Sequence, residues 1–135
     1  MDLSEIERDA EQYPPLTPDE EIDLAKVVSA GADAFHAHKA ELGKLSPERE
    51  AQLTEVEDAS TAAVARLLQG SRRLALSLAK RYGAQGHDPV CVYNEGLTAL
   101  ARVVITPRWE FDWTEGMSFS DYATAHMRKS IKPAT

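Results

Sequence analysis

Apolar residues recur at steps of three and four along most of the chain, and the strongest run is Val64, Leu67, Leu68, Ser71, Leu74, Ala75, Leu78 and Tyr82. That spacing puts them on one buried helix face, with Arg72, Arg73, Lys80 and Arg81 largely outside it and Gly83 as a stop. An earlier helix starts at Thr17-Pro18-Asp19-Glu20, where Thr17 caps, Pro18 suits the first turn and Glu20 closes a capping box. Its stripe is Ile22, Leu24, Ala25 and Val28, and Pro14-Pro15 separates it from a short amphipathic segment bearing Leu3 and Ile6. Another start stands at Ser46-Pro47-Glu48, and the stretch from about 30 to 60 is polar, which reads as a peripheral helical insert.

A later helix follows Asp88-Pro89 and carries Tyr93, Leu97, Leu100, Ala101 and Val104 until Thr106-Pro107. An aromatic-rich loop from Trp109 to Gly116 comes next. Ser118-Phe-Ser-Asp121 then opens a last helix with Phe119, Tyr122, Ala123 and Met127, which ends near Pro133. No alternating strand pattern exists, so the expected class is all-α. Leu67, Leu74, Leu78, Tyr82, Leu97 and Leu100 form the expected core.

At 135 residues with 43% hydrophobic side chains, the chain suits one compact domain. The single cysteine excludes a disulfide scaffold or a Cys-based zinc module, and a reducing cytoplasm fits it. The N-terminus is acidic where a signal peptide is basic and then apolar, and no apolar run approaches the length of a membrane helix. The expectation is a soluble, cytoplasmic protein with no membrane partner. The net charge of -7 is unevenly spread. Residues 1–69 hold 6 Lys and Arg against 16 Asp and Glu, whereas residues 70–135 hold 9 against 6. A basic C-terminal half is compatible with a nucleic-acid contact, and the asymmetry equally fits a solvated acidic face without a partner.

Enzymatic chemistry has no carrier here: there is no glycine-rich phosphate loop, no His-Glu-x-x-His and no nucleophile setting, so no enzyme and no cofactor are expected. His36 and His38 point to different faces, and His87 with Cys91 gives two ligands at most, so no metal site is expected. The segment from Trp109 to Lys132 interleaves Trp109, Phe111, Trp113, Phe119 and Tyr122 with Arg108, Arg128, Lys129 and Lys132. This is the composition of a single-strand platform, with rings to stack bases and cations to hold phosphates. It is also that of rings filling a helical core.

The order of segments resembles that of primary-type sigma factors of the sigma-70 family. The stretch Tyr13-Pro-Pro-Leu-Thr-Pro-Asp-Glu-Glu-Ile-Asp-Leu-Ala-Lys26 resembles the opening of region 1.2. Leu74-Ala-Leu-Ser-Leu-Ala-Lys-Arg-Tyr82 resembles region 2.1, Asn94-Glu-Gly96 the centre of region 2.2, and Phe111-Asp-Trp-x-x-Gly-x-x-Phe-Ser-x-Tyr-Ala-Thr124 region 2.3. The resemblance implies region 1.2-like helices over 1–30, a non-conserved helical insert over 31–60 and a region 2-like core over 61–135. It also implies docking on the clamp coiled coil of the RNA polymerase core, in the cytoplasm and at the nucleoid, and capture of the non-template strand of the promoter -10 element.

Carried over position by position, the docking residues are Cys91, Asn94, Glu95 and Leu97, of which Glu95 keeps the family's residue. The DNA-binding residues are Trp113, Phe119, Tyr122, His126, Arg128, Lys129 and Lys132. Ala125 and His126 replace the family's Trp-Trp wedge, Met117 replaces an aromatic, and Lys129 and Lys132 replace the residues that read the upstream base pair. Promoter-strand binding is therefore expected to be weak, carried by backbone attraction more than base readout. For the later regions that contact the -35 element the expectations are three: a partner chain supplies them, the sequence is a fragment, or the protein does not recruit polymerase to a full promoter. The alternative expectation is a degenerate sigma-like regulatory or interaction module that does not read promoter DNA.

Overall fold

The computed structural model describes residues 2–105, 111 and 113–131. Among these residues six α-helices follow one another: α1 (Leu3–Glu11), α2 (Pro18–Ala40), α3 (Pro47–Gly70), α4 (Arg72–Gly83), α5 (Pro89–Ile105) and α6 (Phe119–Ser130). A 3₁₀ turn at Trp113–Glu115 precedes the last, and no strand occurs among the described residues, so the fold is all-α. No helix among them is long and apolar enough to cross a membrane.

The helix starts follow their caps. The Thr17 hydroxyl accepts from the Glu20 N–H at 3.1 Å, and the Glu20 carboxylate accepts from the Thr17 N–H at 3.2 Å, which completes the capping box. Ser46 and Ser118 accept from the N–H groups of Arg49 and Asp121, each at 3.1 Å. At α5 the Asp88 carboxylate accepts from the Val90 N–H at 3.0 Å.

Two features depart from the periodicity. The long stripe from Val64 to Tyr82 is divided between α3 and α4, because the chain breaks at Gly70-Ser71. The Ser71 hydroxyl donates to the Leu67 carbonyl at 2.7 Å, a back-bond that competes with the helix ladder. A Cβ on Gly70 would stand 2.5 Å from Leu16 Cγ, so the linker before α2 packs where the helices part. The second feature is the arm formed by α2 and α3. Both run unbroken through residues 30 and 60, where the sequence suggests boundaries, and they pack along each other as a hairpin. A Cβ on Gly31 would stand 2.1 Å from Ser60 Cβ, so the two backbones meet there despite the polar composition.

The core joins all six helices. Leu67, Leu78 and Leu100 are buried in it, and Leu74, Tyr82 and Leu97 are half-buried against it. Ile6 and Ala10 of α1 are fully buried there too. Around them Asp9 accepts from the Arg72 guanidinium at 2.8 Å and from the Tyr93 hydroxyl at 2.5 Å. Burial first, and then the Asp9 carboxylate, push the Tyr93 hydroxyl well above the usual tyrosine range. Arg72 also lies 4.8 Å from the centre of the Tyr13 ring, and Arg73 donates to the Tyr13 carbonyl. Part of the basic charge of the C-terminal half is thus engaged in holding the N-terminal segment.

Candidate functional site

Helix α5 presents Cys91, Asn94, Glu95, Thr98 and Arg102 along one exposed face, at steps of three and four. Val92, Tyr93, Gly96, Leu100 and Val104 occupy the buried one. Of the four docking residues expected from the sequence, Cys91, Asn94 and Glu95 are therefore at the surface, while Leu97 is half-buried and packs against the core. The Cys91 thiol donates to the Asp88 carboxylate at 3.4 Å. That hydrogen bond, with the charge of Asp88, burial and then Glu95 behind it, pushes the thiol above its ordinary range, so it is a poor nucleophile at neutral pH. A small groove of about 220 Å³ lined by His87, Cys91, Glu95 and Ile131 runs from this face to the end of α6. Among the described residues no group of three or more His, Cys, Asp or Glu is arranged to hold a metal ion.

Helix α6 crosses α5 at Gly96. A Cβ there would lie 3.3 Å from Met127 Sδ, so the two helices pack closely with room for little more than a methyl. The crossing turns Tyr122, Ala125, His126 and Lys129 outward on one strip, with Arg128 exposed beside them. The Tyr122 and His126 rings pack one turn apart, centroids 4.5 Å from each other. Beneath them Phe111 contacts Tyr122 at 5.1 Å and Phe119 at 5.7 Å.

Phe119 corrects an expectation. Its ring is 1% exposed, so it fills the core and offers no face to a base. A helix-opening residue at the joint of α6, the aromatic loop and α2 is enclosed from every side, and spacing along α6 alone does not reveal that. Tyr122 and His126 are both half-buried, and among the described residues of α6 these are the ring positions that reach the surface. Lys132 and the Trp113 side chain lie outside the described residues, as do Arg108 and Trp109.

The residue that sequence reasoning passes over is Glu21. It is 5% exposed, yet its carboxylate accepts from the Phe119 N–H at 3.1 Å and from the Ser120 hydroxyl at 2.5 Å. It thereby satisfies a donor at the N-terminus of α6, where the helix dipole favours a negative charge. The signal was present in the spacing: Glu21, Ala25 and Val28 fall at i, i+4 and i+7 on the buried face of α2.

The arrangement is a helical bundle with an exposed polar face on α5 and a strip of rings and cations on α6. No protein-family model matches the chain. It is 33% identical over 122 residues, 88% of its length, to RNA polymerase principal sigma factor HrdC of Streptomyces coelicolor. It is also 33% identical over 122 residues, 85% of its length, to RNA polymerase sigma factor SigA of Clostridium acetobutylicum. The chain is a divergent member of the sigma-70 family. It spans about a third of the length of these relatives, 35% of the first and 31% of the second.

Proposed function

We propose that this chain is a non-enzymatic transcription initiation protein. It docks on the RNA polymerase core through the exposed face of α5 and holds single-stranded promoter DNA weakly on α6. Glu95 is the charged docking residue, flanked by Cys91 and Asn94, with Leu97 supporting the helix from behind. Tyr122 and His126 supply ring surface, Arg128, Lys129 and Lys132 supply cations for phosphates, and Trp113 is a further ring for stacking. The observation that carries this reading is the placement of the two faces on helices that cross at Gly96, in a chain whose relatives are primary sigma factors.

The test begins with Glu95→Lys, which turns a charge-assisted contact into a repulsive one and weakens capture of polymerase core by the tagged full chain without changing its circular dichroism. Capture equal to the parent's would move the docking face elsewhere. The second measurement titrates labelled single strands, with or without a -10 sequence, at two salt concentrations. Three phosphate contacts give a log-log salt slope of about −2. Tyr122→Ala removes about 1–3 kcal/mol where the ring stacks a base. Tight, salt-insensitive preference for the -10 strand would contradict weak, backbone-dominated binding.

The burial of Phe119 favours a second reading, a sigma-like regulatory module that keeps the polymerase contact and does not read promoter DNA. Core capture together with no strand binding at any salt would select it.

A further inference from the structure

The exposed face of α5 continues two turns past Glu95, through Thr98 to Arg102. Seven residues fall about 20° short of two full turns, so Glu95 and Arg102 stand nearly in line along the helix, roughly 10 Å apart. Both are exposed. Asp88, which caps the start of α5, adds a second exposed carboxylate at the Glu95 end, and Cys91 between the two feels both charges. The face is therefore acidic in its first half and basic in its last turn.

The helix dipole favours acids in a first turn and cations in a last one, which accounts for Asp88 and for the sign of Arg102. It does not reach Glu95 in the middle of the helix, and it does not choose the face on which a terminal cation stands. Internal pairing does not explain the two charges either. On the other helices Arg49 pairs with Glu41, Arg66 with Glu20, Arg72 with Asp9 and Lys80 with Glu7. Neither Glu95 nor Arg102 has an ion-pair partner among the described residues, and two turns is too far for them to meet each other. Between them the Thr98 hydroxyl donates to the Asn94 carbonyl at 2.8 Å, so a short side chain without charge separates them. One flat surface can approach both ends at once.

We propose that Arg102 is a second charged docking residue, and that the α5 face takes a protein surface presenting a cation opposite Glu95 and a carboxylate opposite Arg102, roughly 10 Å apart. This rests on the reading of α5 as the face that meets the RNA polymerase core. The order of charges fixes which way the partner lies along the helix. Turned end for end, the partner would set its carboxylate against Glu95 and its cation against Arg102, and would be repelled at both ends.

The test follows the fluorescently labelled full chain binding to purified polymerase core by anisotropy, for the parent, Glu95→Lys, Arg102→Glu and the double reversal, with circular dichroism of each. Arg102→Glu is expected to weaken binding at least about tenfold, with the loss shrinking as salt is added. Arg102→Gln, which removes the charge without reversing it, is expected to weaken binding several-fold and keeps the test sound if Arg102→Glu disturbs the helix end. The double reversal has the parent's net charge, and an ordered face requires it to bind at least as weakly as either single reversal. Its recovery to the parent's affinity would show that total charge alone counts and would overturn the proposal. Parental affinity in both Arg102 variants, with Glu95→Lys impaired, would overturn it too and leave docking through α5 standing; parental affinity in Glu95→Lys as well would overturn both. A loss confined to labelled single strands, with core affinity kept, would assign Arg102 to phosphates and overturn it in favour of nucleic acid.

Discussion

The Glu21 carboxylate exchanges water for two donors, the Phe119 N–H and the Ser120 hydroxyl, and in doing so fixes the start of α6. Removing it leaves a helix-terminal N–H and a hydroxyl without their acceptor in a buried place. Glu21→Ala is therefore expected to lower stability by about 1–3 kcal/mol in chemical denaturation, and Glu21→Gln, which retains an amide oxygen, by less. Equal losses for the two would mean that charge at the helix end, and not hydrogen bonding, is what counts. At this scale burial changes the meaning of residue type: a glutamate acts as internal glue and a phenylalanine expected to stack on bases is core.

The α2–α3 arm and the α5–α6 crossing are the elements whose geometry is open to direct test. At the arm's tip the His38 imidazole meets Glu57 at 2.7 Å and Glu50 at 3.8 Å, while Arg49 pairs with both oxygens of Glu41 at 3.1 Å. The hydrogen bond to Glu57, helped by the charges of Glu57, Glu50 and Glu41 against an opposing burial effect, raises the His38 pKa above its ordinary 6.5. Since the folded value lies above the unfolded one, the contribution is fully present below about 6.5 and is lost as the pH rises through the folded value. Hydrogen exchange across residues 35–60 is expected to quicken above that range in the parent beyond the intrinsic rate change, and to show no such step in His38→Gln. The crossing at Gly96 makes a different prediction. A methyl there meets only the flexible Met127 side chain, so Gly96→Ala is expected to be nearly neutral by thermal melting. A branched side chain has to separate the helices, so Gly96→Val is expected to cost about 1–3 kcal/mol and to weaken polymerase capture with it.

For the whole molecule, the decisive contact is between the first helix and helices α4 and α5. Asp9 of α1 reaches Arg72 of α4 and Tyr93 of α5, and the fully buried Ile6 and Ala10 dock on the same core. The first helix is thus part of the domain and not an appendage. Tyr93→Phe keeps the ring and deletes one hydrogen bond to a charged acceptor, for an expected loss of about 1.5–3 kcal/mol read from the denaturation midpoint at constant m. An altered m would show instead that α1 is released before the rest unfolds. The same contacts modify the charge argument, because Arg72 and Arg73 of the basic half serve the N-terminal segment. The cations left for phosphates on α6 are Arg128 and Lys129, together with Lys132 beyond the described residues.

Local chemistry was legible in the chain itself. Thr17 with Glu20, Ser46 with Pro47, and Ser118 set helix starts through bonds within one turn, and period-3.6 stripes named the buried Leu67, Leu78 and Leu100 and the half-buried Leu74 and Leu97 while passing over the buried Leu53 and Leu76. The exposed face of α5 could be read the same way, since a helix with one buried stripe must present the opposite residues to solvent. What only the tertiary structure decided depends on partners far along the chain. The break at Gly70-Ser71 answers to Leu16, the burial of Phe119 to Phe111 and Glu21, and the Asp9 carboxylate to groups more than sixty residues away. Periodicity reports which side of a helix is turned inward, but it carries no information on what stands opposite, and that is where a ring becomes core and a carboxylate becomes a cap.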